Sequence, residues 1–286
     1  MTQTVGIFGL GLIGKALTHR LVGADCSVIG HDPDAARADE FTALGGTAKT
    51  PTDIWTAPVI LAAVFDTDQL ANLIEHAPIG TDSILISTST CDPDRMPELA
   101  AKAGGKNIHL VEAPLSGTSK DLSDGNAVFL LGGDKDQIKT LGWLWSILGR
   151  GHHYVGDIGN GNRAKLAVNL VLGLNRAALA EGLVYANCVG LDPAAFLPLL
   201  QDTAAYSATM PSKGLKMVSR DFAPLGRIAQ SAKDFSLIRG LADAKGQHLP
   251  FATTYQEMMA LALTAGNGDL DNSAILLSIE AARAKP

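Results

Sequence analysis

Lys165 and Asn169 interrupt the long apolar run that follows "GDIGNGNR". Spaced i,i+4, an amine and an amide share one helix face. Such a pair suits alcohol–carbonyl chemistry. When a hydroxyl-bearing carbon gives up a hydride, one group must take the hydroxyl proton and another must orient the oxygen. A free lysine, with a pKa of about 10.4, holds its proton too firmly to act as a base near neutrality. Lys165 falls in the first turn or so of the expected helix, where the positive end of the helix dipole disfavours its charged form. Asn169 offers both a donor and an acceptor. Taken alone, the same pair also fits a solvated stripe on an amphipathic helix.

A second constellation is "IFGLGLIGKAL", with Gly9-x-Gly11-x-x-Gly14 directly after a strand-like run and opening a helical one. The first glycine permits a tight turn, the second lets the backbone approach a pyrophosphate, and the third lets helix and strand pack closely. The N–H groups at the helix start then face the phosphates. Gly9, Leu10, Gly11, Leu12, Ile13 and Gly14 are therefore candidate cofactor contacts. Asp32 ends the second strand-like run, placed to accept from ribose hydroxyls and to repel a 2′-phosphate. Pro33 follows it and the nearest arginine is Arg37, so NAD is expected over NADP. S-adenosylmethionine binds similar sheets, but a methyltransferase would not carry such a long helical tail.

The elements that must position these residues follow from patterning. "TVGIF" (4–8), "CSVIGH" (26–31), "PVILAAV" (58–64), "SILIST" (83–88) and "NIHLVE" (107–112) read as strands, separated by helical segments at 13–22, 34–44 and 94–103. Near-continuous apolar strands alternating with helices predict an α/β, doubly wound parallel sheet of Rossmann type. "AVFLLGG" (127–133) and "HHYVG" (152–156) extend it. Beyond Gly161 the pattern is helical, broken at "GLDP", "MPSKG", "KGQHLP" and "GNGDLD". The expected domains are 1–160, binding a dinucleotide, and 161–286, all-helical and serving substrate and oligomerisation. The long helix carrying Lys165 and Asn169 joins them, so the pair is expected to face an interdomain cleft.

The chain has 286 residues with 47% hydrophobic and 18% charged, enough to bury sizeable cores. A net charge of -6, without a basic patch, argues against a nucleic-acid partner. Three widely spaced cysteines suggest neither a disulfide framework nor a zinc site, and favour a reducing, cytoplasmic setting. His152 and His153 read as structural, and no metal is expected. "MTQTVGIFGLG" lacks the basic start of a signal peptide, and no run of 18 uninterrupted apolar residues exists, so no membrane association is expected.

The order "GLGLIG", "STSTCDP", "EAPLSGT", "GDIGNGNRAKLAVN", "KDFSL" resembles the β-hydroxyacid dehydrogenases, the group containing 3-hydroxyisobutyrate dehydrogenase and tartronate semialdehyde reductase. The match runs from Gly9 to "GNGDLDNSA". The resemblance implies that Lys165 is the catalytic acid/base and Asn169 its partner on substrate. It implies that Ser116 and Gly117 form the substrate-carboxylate loop, with Thr118 beside them. Thr90 would contact the cofactor, and Lys233 of the "KD" motif would lie near the nicotinamide. There it would be a second cation, disfavouring the charged form of Lys165. A homodimer or homotetramer built through the helical domain is also implied.

The chain departs from the family pattern at Thr118, where a second glycine is usual. Thr118, Ser119 and Lys120 suggest a more polar acid than the usual methyl-bearing one, although Lys120 can equally point to solvent. Glu112 replaces a usual aspartate. Two other readings share the design: an imine reductase, which normally lacks a lysine at the position of Lys165, and a non-catalytic dinucleotide-binding scaffold, which tends to lose Lys165, Asn169 or Ser116. The leading expectation is an NAD-dependent oxidoreductase acting on a small β-hydroxyacid or its semialdehyde.

Overall fold

The computed structural model describes residues 2–282 and divides into two compact units, Met1–Lys165 and Leu166–Pro286. The first unit opens with β1 (Thr4–Phe8), α1 (Leu12–Val22), β2 (Ser27–His31), α2 (Ala35–Ala43), β3 (Thr47–Ala48) and α3 (Pro51–Ile54). It continues through β4 (Val59–Ala62), α4 (Thr67–Glu75), β5 (Ser83–Ser87), α5 (Met96–Gly104) and β6 (Ile108–Glu112). Then come β7 (Leu115–Ser116), α6 (Ser119–Ser123), β8 (Val128–Gly132), α7 (Lys135–Thr140), α8 (Gly142–Leu148) and β9 (Gly151–Gly156). Helix α9 (Asn160–Cys188) begins here and continues into the second unit.

The strands lie in the order β3-β2-β1-β4-β5-β6-β8-β7, with β9 on β8. From β3 to β6 every pairing is parallel. Alternate side chains feed two apolar layers. Val5, Ile7 and Leu61 meet Leu17, Leu21 and Leu148 on one face. Phe8, Ile60 and Leu85 meet Ile54, Leu70 and Leu99 on the other. A sheet buried on both faces is the reason its strands read as apolar runs rather than alternating ones.

Beyond β6 the sheet is not wholly parallel, which corrects the sequence expectation: β8 runs antiparallel to β6 and to β7. β7 and β8 are joined by the short stretch 117–127, below the dozen or more residues that a parallel crossover usually takes, which suits an antiparallel return. Two-residue β3 and β7 escaped prediction because they carry no period.

In the second unit α9 is followed by α10 (Pro193–Gln201), a π-turn at Met210–Gly214, α11 (Leu215–Ser219), α12 (Ile228–Ala244) and α13 (Pro250–Thr264). A 3-10 turn at Asn272–Ala274 and α14 (Ile275–Ala281) complete it. Among the described residues this unit has no strand, and Arg227 and Asp271 form an isolated bridge. Leu179, Leu183, Leu197, Met217, Phe235, Tyr255, Met259 and Ile275 form its core. By length and hydropathy α9 is apolar enough to cross a membrane, a test that core helices of soluble proteins also pass. Here Leu166, Leu179 and Leu183 belong to the apolar core, and the buried guanidinium of Arg176 bonds the Tyr255 hydroxyl at 2.8 Å.

One buried ion pair braces this unit. Lys213 Nζ donates to both carboxylate oxygens of Asp271 at 2.9 Å, and the Leu225 and Ser273 amides donate to the same group. Burial pushes the Asp271 carboxyl up, but Lys213 and the amides outweigh it and hold it below the usual range. Removing one partner leaves a buried charge uncompensated. Lys213→Ala is expected to cost about 3–5 kcal/mol, read as a lower urea midpoint; an unchanged midpoint would show that the pair does not brace the unit.

Candidate active site

The parallel strands of the first unit end on one edge, where ligands of open α/β sheets bind. At the end of β1, Gly9 adopts φ +86°, and a Cβ there would run 2.5 Å from the Ala63 carbonyl oxygen. A Cβ at Gly14 would strike the Gly9 carbonyl, so only glycine lets α1 sit this close to β1. A Cβ at Gly11 would meet nothing within 4 Å. The space over the loop is open where a pyrophosphate would approach. Gly11 also caps α1 without a side-chain hydrogen bond, so the first-turn N–H groups of α1 have no side-chain cap in front of them. These features fit a dinucleotide.

Asp32 lies just beyond β2, buried to 8% exposure. Its Oδ2 accepts from the Leu10 amide at 2.8 Å and its Oδ1 from the Asp34 amide at 3.0 Å. Arg37 approaches Oδ2 at 3.3 Å and also contacts Asp34. Burial pushes the Asp32 carboxyl up, yet the Asp34 and Leu10 amides and Arg37 outweigh it and hold it below its usual range. The group is an anion at neutral pH. The stability it contributes is present above the unfolded carboxyl value and is lost as pH falls through the lower folded one.

Thr90 is buried in the loop after β5. Ser89 of the same loop bonds the Val64 carbonyl at 2.7 Å, and the Cys91 amide donates to Asn162 Oδ1 at 2.7 Å. Asn162 lies in the first turn of α9, three residues before Lys165. Its Nδ2 bonds Glu112 Oε1, its amide donates to the same oxygen at 3.2 Å, and the Gly159 amide bonds Oε2. Glu112 is fully buried, and burial pushes its carboxyl up, with Asn162 and the Gly159 and Gly161 amides drawing it back only in part. The loop of Thr90, the Glu112 carboxylate and the start of α9 are thus joined through Cys91 and Asn162. Sequence reasoning passed over Asn162 and noted Glu112 only as a replacement for the family's usual aspartate. Lys165 is buried on α9 one turn beyond Gly161.

Ser116 ends β7, and Gly117 follows with φ +138°. Thr118 caps α6: its hydroxyl accepts from the Asp121 amide at 3.1 Å and donates to Asp121 Oδ2 at 2.7 Å. Lys120 Nζ bonds Asp124 at 2.8 Å on a side chain 68% exposed. The Thr118 hydroxyl and the Lys120 amine therefore have partners on α6 and its C-cap, so these contacts give no support to a more polar substrate.

In the second unit Asn169 Nδ2 donates to Asp234 Oδ2 at 2.8 Å, and Lys233 Nζ lies 3.2 Å from Asp234 Oδ1. Two expected site residues, Asn169 and Lys233, thus meet at a carboxylate that the sequence reading did not single out. Its signal was its place in "KD". No cluster of three or more potential metal ligands occurs among the described residues.

Residues 4–156 match the family model for the NAD binding domain of 6-phosphogluconate dehydrogenase. Residues 159–279 match the model for NAD-binding of NADP-dependent 3-hydroxyisobutyrate dehydrogenase. The chain is 28% identical over 291 residues to glyoxylate/succinic semialdehyde reductase 2, chloroplastic, of Arabidopsis thaliana, covering 99% of this chain and 81% of that protein. It is 27% identical over 289 residues to 2-hydroxy-3-oxopropionate reductase of Escherichia coli (strain K12), covering 96% and 97%. Its fold is like that of 3-hydroxyisobutyrate dehydrogenase from Salmonella typhimurium, with a TM-score of 0.87 at 23% identity, covering 96% and 99%.

The Glu112 contacts yield a direct test. Glutamine keeps the shape but turns an N–H group toward one set of N–H donors. Hydrogen bonds to a charged group are worth roughly 1.5–3 kcal/mol, so Glu112→Gln is expected to lower unfolding free energy by about that amount. The Gly159 and Asn162 amides should also lose protection from hydrogen exchange. Unchanged protection there would show that the carboxylate does not hold α9.

Proposed function

The chain belongs to the β-hydroxyacid dehydrogenase family of NAD(P)-dependent enzymes, and from that premise we propose that it moves a hydride between nicotinamide and a small β-hydroxyacid or its semialdehyde. Lys165 is the general acid/base in this reading. What supports it most is the pairing on α9: a buried lysine one turn past the Glu112-held helix start, with Asn169 one turn further on. The bound cofactor supplies the hydride acceptor or donor. Lys165 Nζ takes the hydroxyl proton in oxidation and returns it to the carbonyl oxygen in reduction. Asn169 orients that oxygen. Ser116, Gly117 and the backbone of Thr118 hold the substrate carboxylate, and the positive φ of Gly117 lets the chain turn closely around it. Thr90 and the Gly9–Gly14 loop hold the cofactor, with Lys233 at its nicotinamide end.

We place NAD ahead of NADP because the Asp32 carboxylate is an anion where a 2′-phosphate would sit. Arg37 works the other way, since its guanidinium is within reach of the same point. We further propose that residues 1–160 bind the dinucleotide and that 161–286 carry the remaining substrate contacts and assemble into a homodimer or homotetramer. Exposed Val168, Val171, Tyr185, Leu199, Phe251 and Leu261 give the second unit an apolar surface to bury. Among the described residues Cys26, Cys91 and Cys188 form no disulfide, which suits a reducing compartment such as the cytoplasm. We include no nucleic acid, membrane or metal in this reading.

The test is reduced-nicotinamide absorbance against 3-hydroxyisobutyrate, glycerate, threonate and a sulfonated analogue, each with NAD and NADP. Turnover is expected on at least one acid. Lys165→Ala should lower kcat by about 10²–10⁴-fold while cofactor binding persists. Cofactor binding without turnover on any acid or its semialdehyde would overturn the reading. Asp32→Ser should raise kcat/KM with NADP relative to NAD, and an unchanged ratio would remove Asp32 from cofactor choice.

A further inference from the structure

Helices α9 and α12 cross with their sequence directions opposed. Arg176 approaches Ser231, Gly173 lies against Phe235, and Asn169 meets Asp234. A Cβ at Gly173 would come 2.5 Å from the Phe235 ring, so glycine sets how closely the helices approach. That closeness buries Asp234 to 4% exposure with Oδ2 on Asn169 Nδ2. Its Oδ1 makes an ion-pair contact with Lys233 at 3.2 Å but accepts no hydrogen bond.

Asn169 Nδ2 is the donor to Asp234 Oδ2, so the nitrogen end of the amide faces the carboxylate. With one N–H spent on Asp234, the amide has its Oδ1 and its second N–H for anything else. The same carboxylate sits beside the Lys233 amine. We propose that Asp234 is a positioning residue, a buried clamp that fixes the amide of Asn169 for the reaction without touching substrate. This rests on the reading of Asn169 as a substrate contact.

The test is a double-mutant cycle between residues 169 and 234, with kcat and KM measured on the acid the enzyme turns over. Asp234→Ala is expected to lower kcat about 10- to 100-fold, the scale of one hydrogen bond to a charged group, with KM for cofactor changing less than about threefold. Asp234→Asn keeps an acceptor for Asn169 Nδ2 and should recover most of that loss. In an Asn169→Ala background, Asp234→Ala should cost less than about threefold more, because residues acting through one another are not additive. Additive losses, or no rescue by asparagine, would overturn the clamp while leaving the proposed reaction standing. If Asn169→Ala itself leaves kcat unchanged, the reading of Asn169 fails instead. Side-chain amide exchange of Asn169 by NMR then decides the contact without reference to turnover. Slow exchange in the native chain and in Asp234→Asn, but not in Asp234→Ala, supports the clamp; equal exchange in all three overturns it.

Discussion

The first N–H groups of an α-helix have no partners within it, and α9 begins at a buried point where water cannot supply them. Glu112 takes that task. Its carboxylate accepts from the start of α9 and adds a negative charge at the positive end of a 29-residue helix. The glycine-rich entry to α9 makes room for it. A Cβ at Gly161 would come 2.8 Å from the Glu112 Cβ, and one at Gly132 would come 2.6 Å from Glu112 Oε2. Gly156 and Gly159 turn the chain at φ +115° and +94° just before the helix. Asn162 extends the contact to the β5 loop through the Cys91 amide. One carboxylate therefore ties together β6, the loop of Thr90 and the first turn of the helix that carries Lys165.

The glycine loop depends on a second carboxylate in a comparable way. Asp32 accepts from the Leu10 amide, so the residue proposed to read the ribose also holds the loop proposed to read the pyrophosphate. Two amides and one guanidinium leave part of its accepting capacity for ribose hydroxyls. A substitution made to change cofactor preference thus also loosens the turn. Local order and ligand choice are linked through one side chain.

The parallel strands were legible because burial on both faces leaves apolar runs, and the glycine loop was legible because each glycine answers a steric demand. Residues 115–116 were not legible as a strand, since two residues carry no period and their pairing depends on the short connection to β8. Thr118 stood out as a departure, yet its hydroxyl serves the turn beneath it. The signal was Asp121 three residues on, the pattern of a capping box. Asn162, Glu112 and Asp234 were hidden for a common reason. Each acts on a residue distant in sequence, and single-sequence patterning sees spacing along one element, not a meeting of two.

The polar residues along α9 also explain why a helix so apolar is not uniformly so. A polar group buried without a partner costs several kcal/mol in the least favourable case. On α9 such groups are met from other elements: Asn162 by Glu112, Asn169 by Asp234, and Arg176 by Tyr255 and Ser231. Within the second unit the Asn169–Asp234 and Arg176–Ser231 contacts span α9 and α12 where Gly173 lets them approach closely, while Tyr255 on α13 makes the shorter bond to Arg176, so packing and polar pairing favour the same crossing. A larger residue at 173 would spoil both at once. An arrangement in which steric fit and hydrogen bonding impose one register is harder to displace than either acting alone, and it keeps the amide of Asn169 in a single orientation.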